Sequence, residues 1–143
     1  MSNPVIAKLT IEVENSMIAA CRDRLPLECC GVVYGSLEEE HTVAVEGYSI
    51  IRNAAASPEN RFSFDTEDWI AACYEAQKNQ RRLVGVFHSH PVGTGEPSAS
   101  DARTLMPWDS YWIVSFADGQ GAISAYRHDA RHGFVSLSVE RVT

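Results

Sequence analysis

Hydrophobic and polar positions change period several times along the chain, and each change predicts an element. Val5 to Leu9 is a short apolar-rich run that predicts a first strand. From about Ile11 to Arg24, apolar Ile11, Ile18, Cys21 and Leu25 recur at helical spacing, with Ala19 and Ala20 as good helix formers. Pro26 ends that helix, because a proline disfavours the helical region for the residue before it. "CCGVVYG", Cys29 to Gly35, predicts a short buried strand, and His41 to Ile51 predicts a longer one rich in Val and Ile. Glu38 to Glu40 is a charge run that reads as a solvated loop.

Asn53 to Arg61, "NAAASPENR", carries turn chemistry and predicts a loop. Asp65 or Thr66 can cap a helix running to about Arg82, with Trp69, Ile70, Cys73, Tyr74 and the stem of Gln77 on its apolar face. "LVGVF" has little alternation, which predicts a central strand buried on both faces. A short helix is expected from about Ser98 to Met106. "YWIVSF", "AISAYRH" and "FVSLSVERV" then read as three strands separated by turns. Without repeats or linkers, the pattern predicts one domain over residues 1–143, a sheet with helices packed on it.

The length of 143 residues is enough to bury a real core, and 45% apolar with 22% charged residues is ordinary for a globular domain. The net charge of -7 argues against a nucleic-acid partner held by phosphate contacts and against an anionic membrane surface. No apolar run approaches the roughly 20 residues of a membrane span. "MSNPVIAKLTIEVEN" lacks the basic start and apolar middle of a signal peptide, so a cytoplasmic location is expected. Cys21, Cys29, Cys30 and Cys73 form no C-x-x-C pair, and they are expected to be free thiols.

Candidate chemistry concentrates in "FHSHPVGTGEPSASD", Phe87 to Asp101. If the strand continues through them, His88 and His90 point to the same face and can share one metal. A loop with Gly93, Gly95 and Pro97 can turn the chain back and bring Asp101 as a third ligand. Two imidazoles and a carboxylate leave a fourth position for water, the pattern of a catalytic zinc site. Ser98-x-x-Asp101 also reads as a capping box that needs no metal. The two readings are compatible, since a residue fixed in a first helical turn is well placed as a ligand. A hydrolytic site would further need a carboxylate to move protons. Among 19 acidic residues, Glu28 stands out because it directly precedes a buried segment.

"PLECCG" (Pro26 to Gly31), "HSHP" (His88 to Pro91) and "SASD" (Ser98 to Asp101), in that order and spacing, resemble the signature of the JAMM, or MPN+, zinc metalloproteases. "NAAASPENRFSFD" and "YWIVSF" resemble its small bacterial branch. The resemblance implies a cytidine-deaminase-like α/β fold, with a curved mixed sheet flanked by helices. It implies one Zn2+ per chain on His88, His90 and Asp101. Glu28 would be the general acid/base for a zinc-activated water, and Ser98 would stabilise the oxyanion. Cys29 departs from the small residue frequent in relatives, and both Cys29 and Cys30 are expected in the core. His41, His128 and His132 lie outside the motif and are expected at the surface, while Trp108 and Trp112 are expected in the core.

The function this implies is hydrolysis of the amide after the C-terminal glycine of a ubiquitin-like protein. Small bacterial members resemble processors of ubiquitin-like sulfur-carrier proteins. Two competing readings are a non-catalytic MPN-type scaffold and a peptidase acting on cell-wall peptides. The intact set of Glu28, His88, His90, Ser98 and Asp101 speaks against the scaffold.

Overall fold

A computed structural model describes residues 4–103 and 107–143. In chain order the elements are β1 (Ile6–Thr10), α1 (Ile11–Arg22), β2 (Cys30–Glu38), β3 (Thr42–Ile51), α2 (Thr66–Lys78), β4 (Arg82–His90), α3 (Ala99–Arg103), β5 (Ser110–Ser115), β6 (Ala122–Asp129), β7 (Gly133–Ser136) and β8 (Ser138–Val142). The strands share one mixed sheet, ordered β7-β6-β5-β4-β2-β3-β1-β8. β4 is central, antiparallel to β2 and parallel to β5, as its continuous apolar run predicted. This is the mixed α/β architecture expected from the sequence. No helix among the described residues is long and apolar enough to cross a membrane.

Alternation along β2 sends its side chains to two cores. Val33 joins the larger one with Met17, Cys21, Phe87 and Trp112, under α1. Val32 and Tyr34 join the smaller one with Ile51 and Ala76, under α2. Alternate residues of a strand face opposite sides, so the two helices lie on opposite faces of the sheet. Complete burial of large side chains such as Trp112, Phe87, Leu9 and Met17 contributes about 1.5–3 kcal/mol each. Gly31 makes the packing around Phe87 possible: a Cβ there would lie 2.5 Å from the ring and 2.1 Å from the Ser49 carbonyl oxygen.

Several expectations need correction. The first helix ends at Arg22 rather than about Arg24, because the Asp23 N–H closes onto the Ala19 carbonyl and a turn follows. Its buried face is Met17, Cys21 and Glu14, while Ile11 and Leu25 are exposed. The reason lies at its start. Thr10 ends β1 and caps the helix through its Oγ, accepting from Val13 N at 3.0 Å, so no loop intervenes to turn the apolar stripe inward. Glu14 instead faces Arg141 of β8 in a two-pronged ion pair at 2.9–3.0 Å.

The second helix is capped by Asp65, whose Oδ2 accepts from Asp68 N, as expected. It stops at Lys78, short of Arg82, since Gln80 takes a positive φ of 56° and Arg82 is already paired with Gly35. Its contact stripe is Trp69, Ala72 and Ala76; Ile70 and Tyr74 point to solvent. Of the helix expected from about Ser98 to Met106, α3 covers Ala99–Arg103, and residues 104–106 lie outside the described residues. Cys29 and Cys30 are core residues and the four cysteines are free, as expected. His41 and His132 are exposed, whereas His128 is half-buried, edge-on against Phe134 at 5.0 Å. Trp112 is in the core, but Trp108 is only half-buried.

"FVSLSVERV" is two strands, not one. The Leu137 N–H donates to Ala125 O, and the next residue, Ser138, donates to Val5 O. The chain therefore leaves β6 and joins β1 within one step, placing β7 and β8 at opposite ends of the strand order. That is possible only because the sheet curls until its two edges approach each other.

Candidate metal centre

β4 carries two histidines out of the sheet at its C-terminal end. Val86, two residues earlier, packs in the α2-side core, so strand alternation puts His88 and His90 on that same face. Both are buried. Their Nε2 atoms lie 3.1 Å apart. The His90 Nδ1–H donates to Thr94 O at 2.7 Å, so in the neutral ring Nε2 carries the lone pair. His88 stacks on Phe62, with ring centroids 4.6 Å apart and planes inclined by 22°.

Asp101 reaches the pair from the first turn of α3. Its Oδ1 lies 3.0 Å from His88 Nε2 and its Oδ2 lies 3.2 Å from His90 Nε2. The capping box is formed as well. The Asp101 N–H donates to Ser98 Oγ at 3.1 Å, and the Ser98 N–H donates to Asp101 Oδ2 at 2.7 Å. The cap thus fixes the carboxylate that faces the histidines. Burial pushes the Asp101 carboxyl up, but hydrogen bonds with His88 and His90 outweigh it and hold the group well below the usual carboxylate range. Burial lowers His88. It also pulls on His90, where the bonds to Asp101 and Thr94 prevail and the pKa is raised.

His88, His90 and Asp101 each offer one ligand atom, all within 4.8 Å of one another, and form a group that could hold a metal ion. Ligands at the 2.0–2.1 Å bond lengths of a tetrahedral zinc lie about 3.3 Å apart. The separations of 3.0–3.2 Å are close to that spacing. Two ring nitrogens and a carboxylate held this near each other need a proton or a cation among them, and two imidazoles with a carboxylate are a donor set that fits a metal.

Glu28 arrives from the segment before β2. Its N–H donates to Pro58 O at 2.7 Å, and its carbonyl accepts from Asn53 Nδ2 at 3.0 Å. The next residue is clamped to the histidine strand: Cys29 N donates to Ser89 Oγ, and Ser89 N to Cys29 O, both at 2.8 Å. The side chain is buried, and among the described residues its Oε1 has no hydrogen-bond partner. Burial pushes its pKa up to about 7; the charge of His90 opposes that shift, and Asp101 adds to it. Sequence reasoning therefore named five residues that the fold brings to one place, Ser98 through its bonds to Asp101.

It missed the groups that set their positions. Ser89, the middle residue of H-S-H, faces away from the histidines by strand alternation, so its hydroxyl is free to hold the Glu28 segment; that much was readable from period 2. Asn53 was less visible inside its turn-rich run. Its Nδ2 donates to Glu28 O and Arg61 O, and its Oδ1 accepts from Ala55 N and Ser63 N.

A curled mixed sheet with helices packed on it, and a His–His–carboxylate group beside a buried glutamate, defines an α/β domain equipped to hold a metal. The chain belongs to the family described as prokaryotic homologs of the JAB domain, which matches residues 10–129. It is 34% identical over 109 residues to tail tip assembly protein K of Escherichia phage N15, covering 73% of this chain and 39% of that protein. It is 31% identical over 94 residues to the desampylase of Pyrococcus furiosus, covering 66% of this chain and 63% of that protein. The matches thus span less than two thirds of these two relatives. The solution structure of a protein from Desulfitobacterium hafniense superposes with a TM-score of 0.82 at 29% identity, over 95% of this chain and 92% of that one.

Proposed function

We propose that residues 1–143 act as a zinc-dependent JAMM-type metallopeptidase on a ubiquitin-like protein, with a sulfur-carrier protein's C-terminal tail as its substrate. The observation that carries this reading is the convergence of the two Nε2 atoms, 3.1 Å apart, each on one Asp101 oxygen at 3.0 and 3.2 Å, beside a buried carboxyl with an oxygen unpartnered among the described residues. The choice of a ubiquitin-like substrate is supported by the family membership and by a relative named desampylase.

His88, His90 and Asp101 would hold the zinc. When bound, zinc supplies a Lewis acid for a carbonyl oxygen and lowers the pKa of water to about 7. Glu28, with its pKa raised to about 7 by burial, accepts a proton from the attacking water and returns it to the leaving nitrogen. A positioned base of this kind contributes about 10²–10⁴-fold. The Ser98 hydroxyl accepts from Asp101 N and keeps its own O–H to donate. Aimed at the carbonyl oxygen as that gains charge, it would contribute about 10²–10³-fold. The cap that orients Asp101 therefore also orients this donor.

The test is zinc content together with hydrolysis of a sulfur-carrier protein extended beyond its terminal diglycine. Unaltered protein is expected to hold one zinc per chain. His88→Ala and Asp101→Ala should lose it, while Glu28→Gln keeps it and hydrolyses at least about 10²-fold more slowly. Full hydrolysis by metal-free protein would overturn the mechanism. Zinc binding with no hydrolysis would leave a scaffold, and cleavage of cell-wall peptides alone would move the substrate to that class.

A further inference from the structure

An apolar pocket of about 240 Å³ opens beside the metal-site group and shares two walls with it, His88 and Asp101. Its other walls are mostly rings: Phe62 and Phe64 from the loop before α2, Trp108 and Tyr111 around the start of β5, and Phe134 of β7. The rings brace one another. Phe62 stacks on His88 and lies 5.7 Å from Phe64, and Tyr111 meets Phe134 edge-on at 5.5 Å. Trp69, behind them, stacks on Phe64 and meets Trp108 edge-on. The wall is therefore preformed.

Few polar groups of the lining are free to meet an occupant. The Tyr111 hydroxyl accepts from Trp108 N. Asp101 spends Oδ1 on His88, and Oδ2 on His90 and the Ser98 N–H. A lysine ammonium placed here would lose its water and find no uncommitted carboxylate among the described lining residues, which is unfavourable. An apolar cavity of about 150 Å³ already accommodates benzene, so this pocket has room for a phenyl ring, an indole or a long aliphatic side chain.

We propose that this pocket is a specificity subsite for a large apolar or aromatic side chain on the leaving side of the scissile amide. The inference rests on the hydrolase reading above. Glycine on the acyl side offers no side chain, so an occupant within reach of His88 and Asp101 comes from the residue released with the new amine. Phe134 is the determinant most open to change, since it lies on an edge strand and is only half-buried.

The experiment compares zinc-loaded protein on carrier fusions that differ only in the residue after the terminal glycine: Phe, Leu, Ala or Lys. kcat/KM for Phe and Leu should exceed that for Ala by about tenfold or more, with Lys no better than Ala. Phe134→Ala should lower the Phe-to-Ala ratio and Phe134→Leu should preserve more of it; a ratio cancels any general loss of folded protein. A flat series, or one led by Lys, overturns the subsite while leaving the hydrolase intact. If no fusion is cleaved, the hydrolase reading fails, and a second measurement still judges the pocket. A short peptide beginning with Phe should change the tryptophan fluorescence of metal-free protein saturably, and one beginning with Ala should not. Equal responses to the two would remove the proposal.

Discussion

Glu28 is a carboxyl in a place that disfavours its charge. It is buried and one oxygen has no partner among the described residues, so the neutral form is favoured up to about pH 7 against the usual 4.5. The linkage has a definite sign. Well below pH 4.5 the group is protonated in both folded and unfolded chains and costs nothing. Between 4.5 and 7 the unfolded chain ionises first, so stability falls as pH rises, by roughly 3 kcal/mol at most. In metal-free protein, Glu28→Gln should therefore gain stability relative to unaltered protein between pH 4.5 and pH 8, as measured by urea unfolding at both pH values. A difference that does not change with pH would contradict this account. If Glu28 handles protons as proposed, stability and activity are expected to trade against each other here.

The loop between β3 and α2 works as one element through Asn53. Four hydrogen bonds from this side chain tie the loop to itself and to the Glu28 carbonyl, and the same loop lays Phe62 on His88. Asn53→Ala should lower stability by on the order of 2–3 kcal/mol. Asn53→Asp keeps the acceptor for Ala55 N and Ser63 N but loses the donors to Glu28 O and Arg61 O, so it tests the donated bonds apart from the accepted ones. Zinc content should persist in both variants, because the ligands come from β4 and α3, while kcat for the carrier fusion falls. Unchanged kcat in Asn53→Asp would show that Glu28 is placed without this bond. The sequence announced the strand end and the helix cap because each is a short-range pattern, a period of two and a step of three. It announced this loop only as turn chemistry, since the partners of Asn53 depend on where the chain folds back.

Across the whole molecule, the proposed metal site joins β4 to α3, so metal binding there is expected to stabilise the fold. Zinc at about a thousandfold excess over its Kd adds about 4 kcal/mol. For a chain of this size that corresponds to a rise in Tm of about 10 °C, absent in His88→Ala. Protons compete for the same nitrogens. His90 has a raised pKa and takes up its proton at a higher pH than an ordinary histidine, so the zinc-dependent rise in Tm should shrink as pH falls from 8 to 5. A rise that is constant across that range would exclude His90 as a ligand. Chelator titration followed by calorimetry reads both effects.

Local chemistry in the sequence determined the elements that carry the site. "HSHP" on a buried strand sets two imidazoles on one face, and "SASD" builds a cap that fixes a carboxylate. It did not determine which stripe of α1 or α2 is buried, because a cap and a distant ion pair set the rotation of one helix and a narrow contact sets that of the other. Nor did it show that one apolar run splits at Leu137, since the switch from β6 to β1 exists only when the sheet has curled. Tertiary structure alone brought Glu28 to the histidines, through a clamp between Cys29 and Ser89 that spans 60 residues, and alone gathered the aromatic walls of the pocket from three separate segments. Short-range geometry is written into residue order through strand and helix periods. Encounters across the chain are settled by the packing of a particular curved sheet, for which no local period exists.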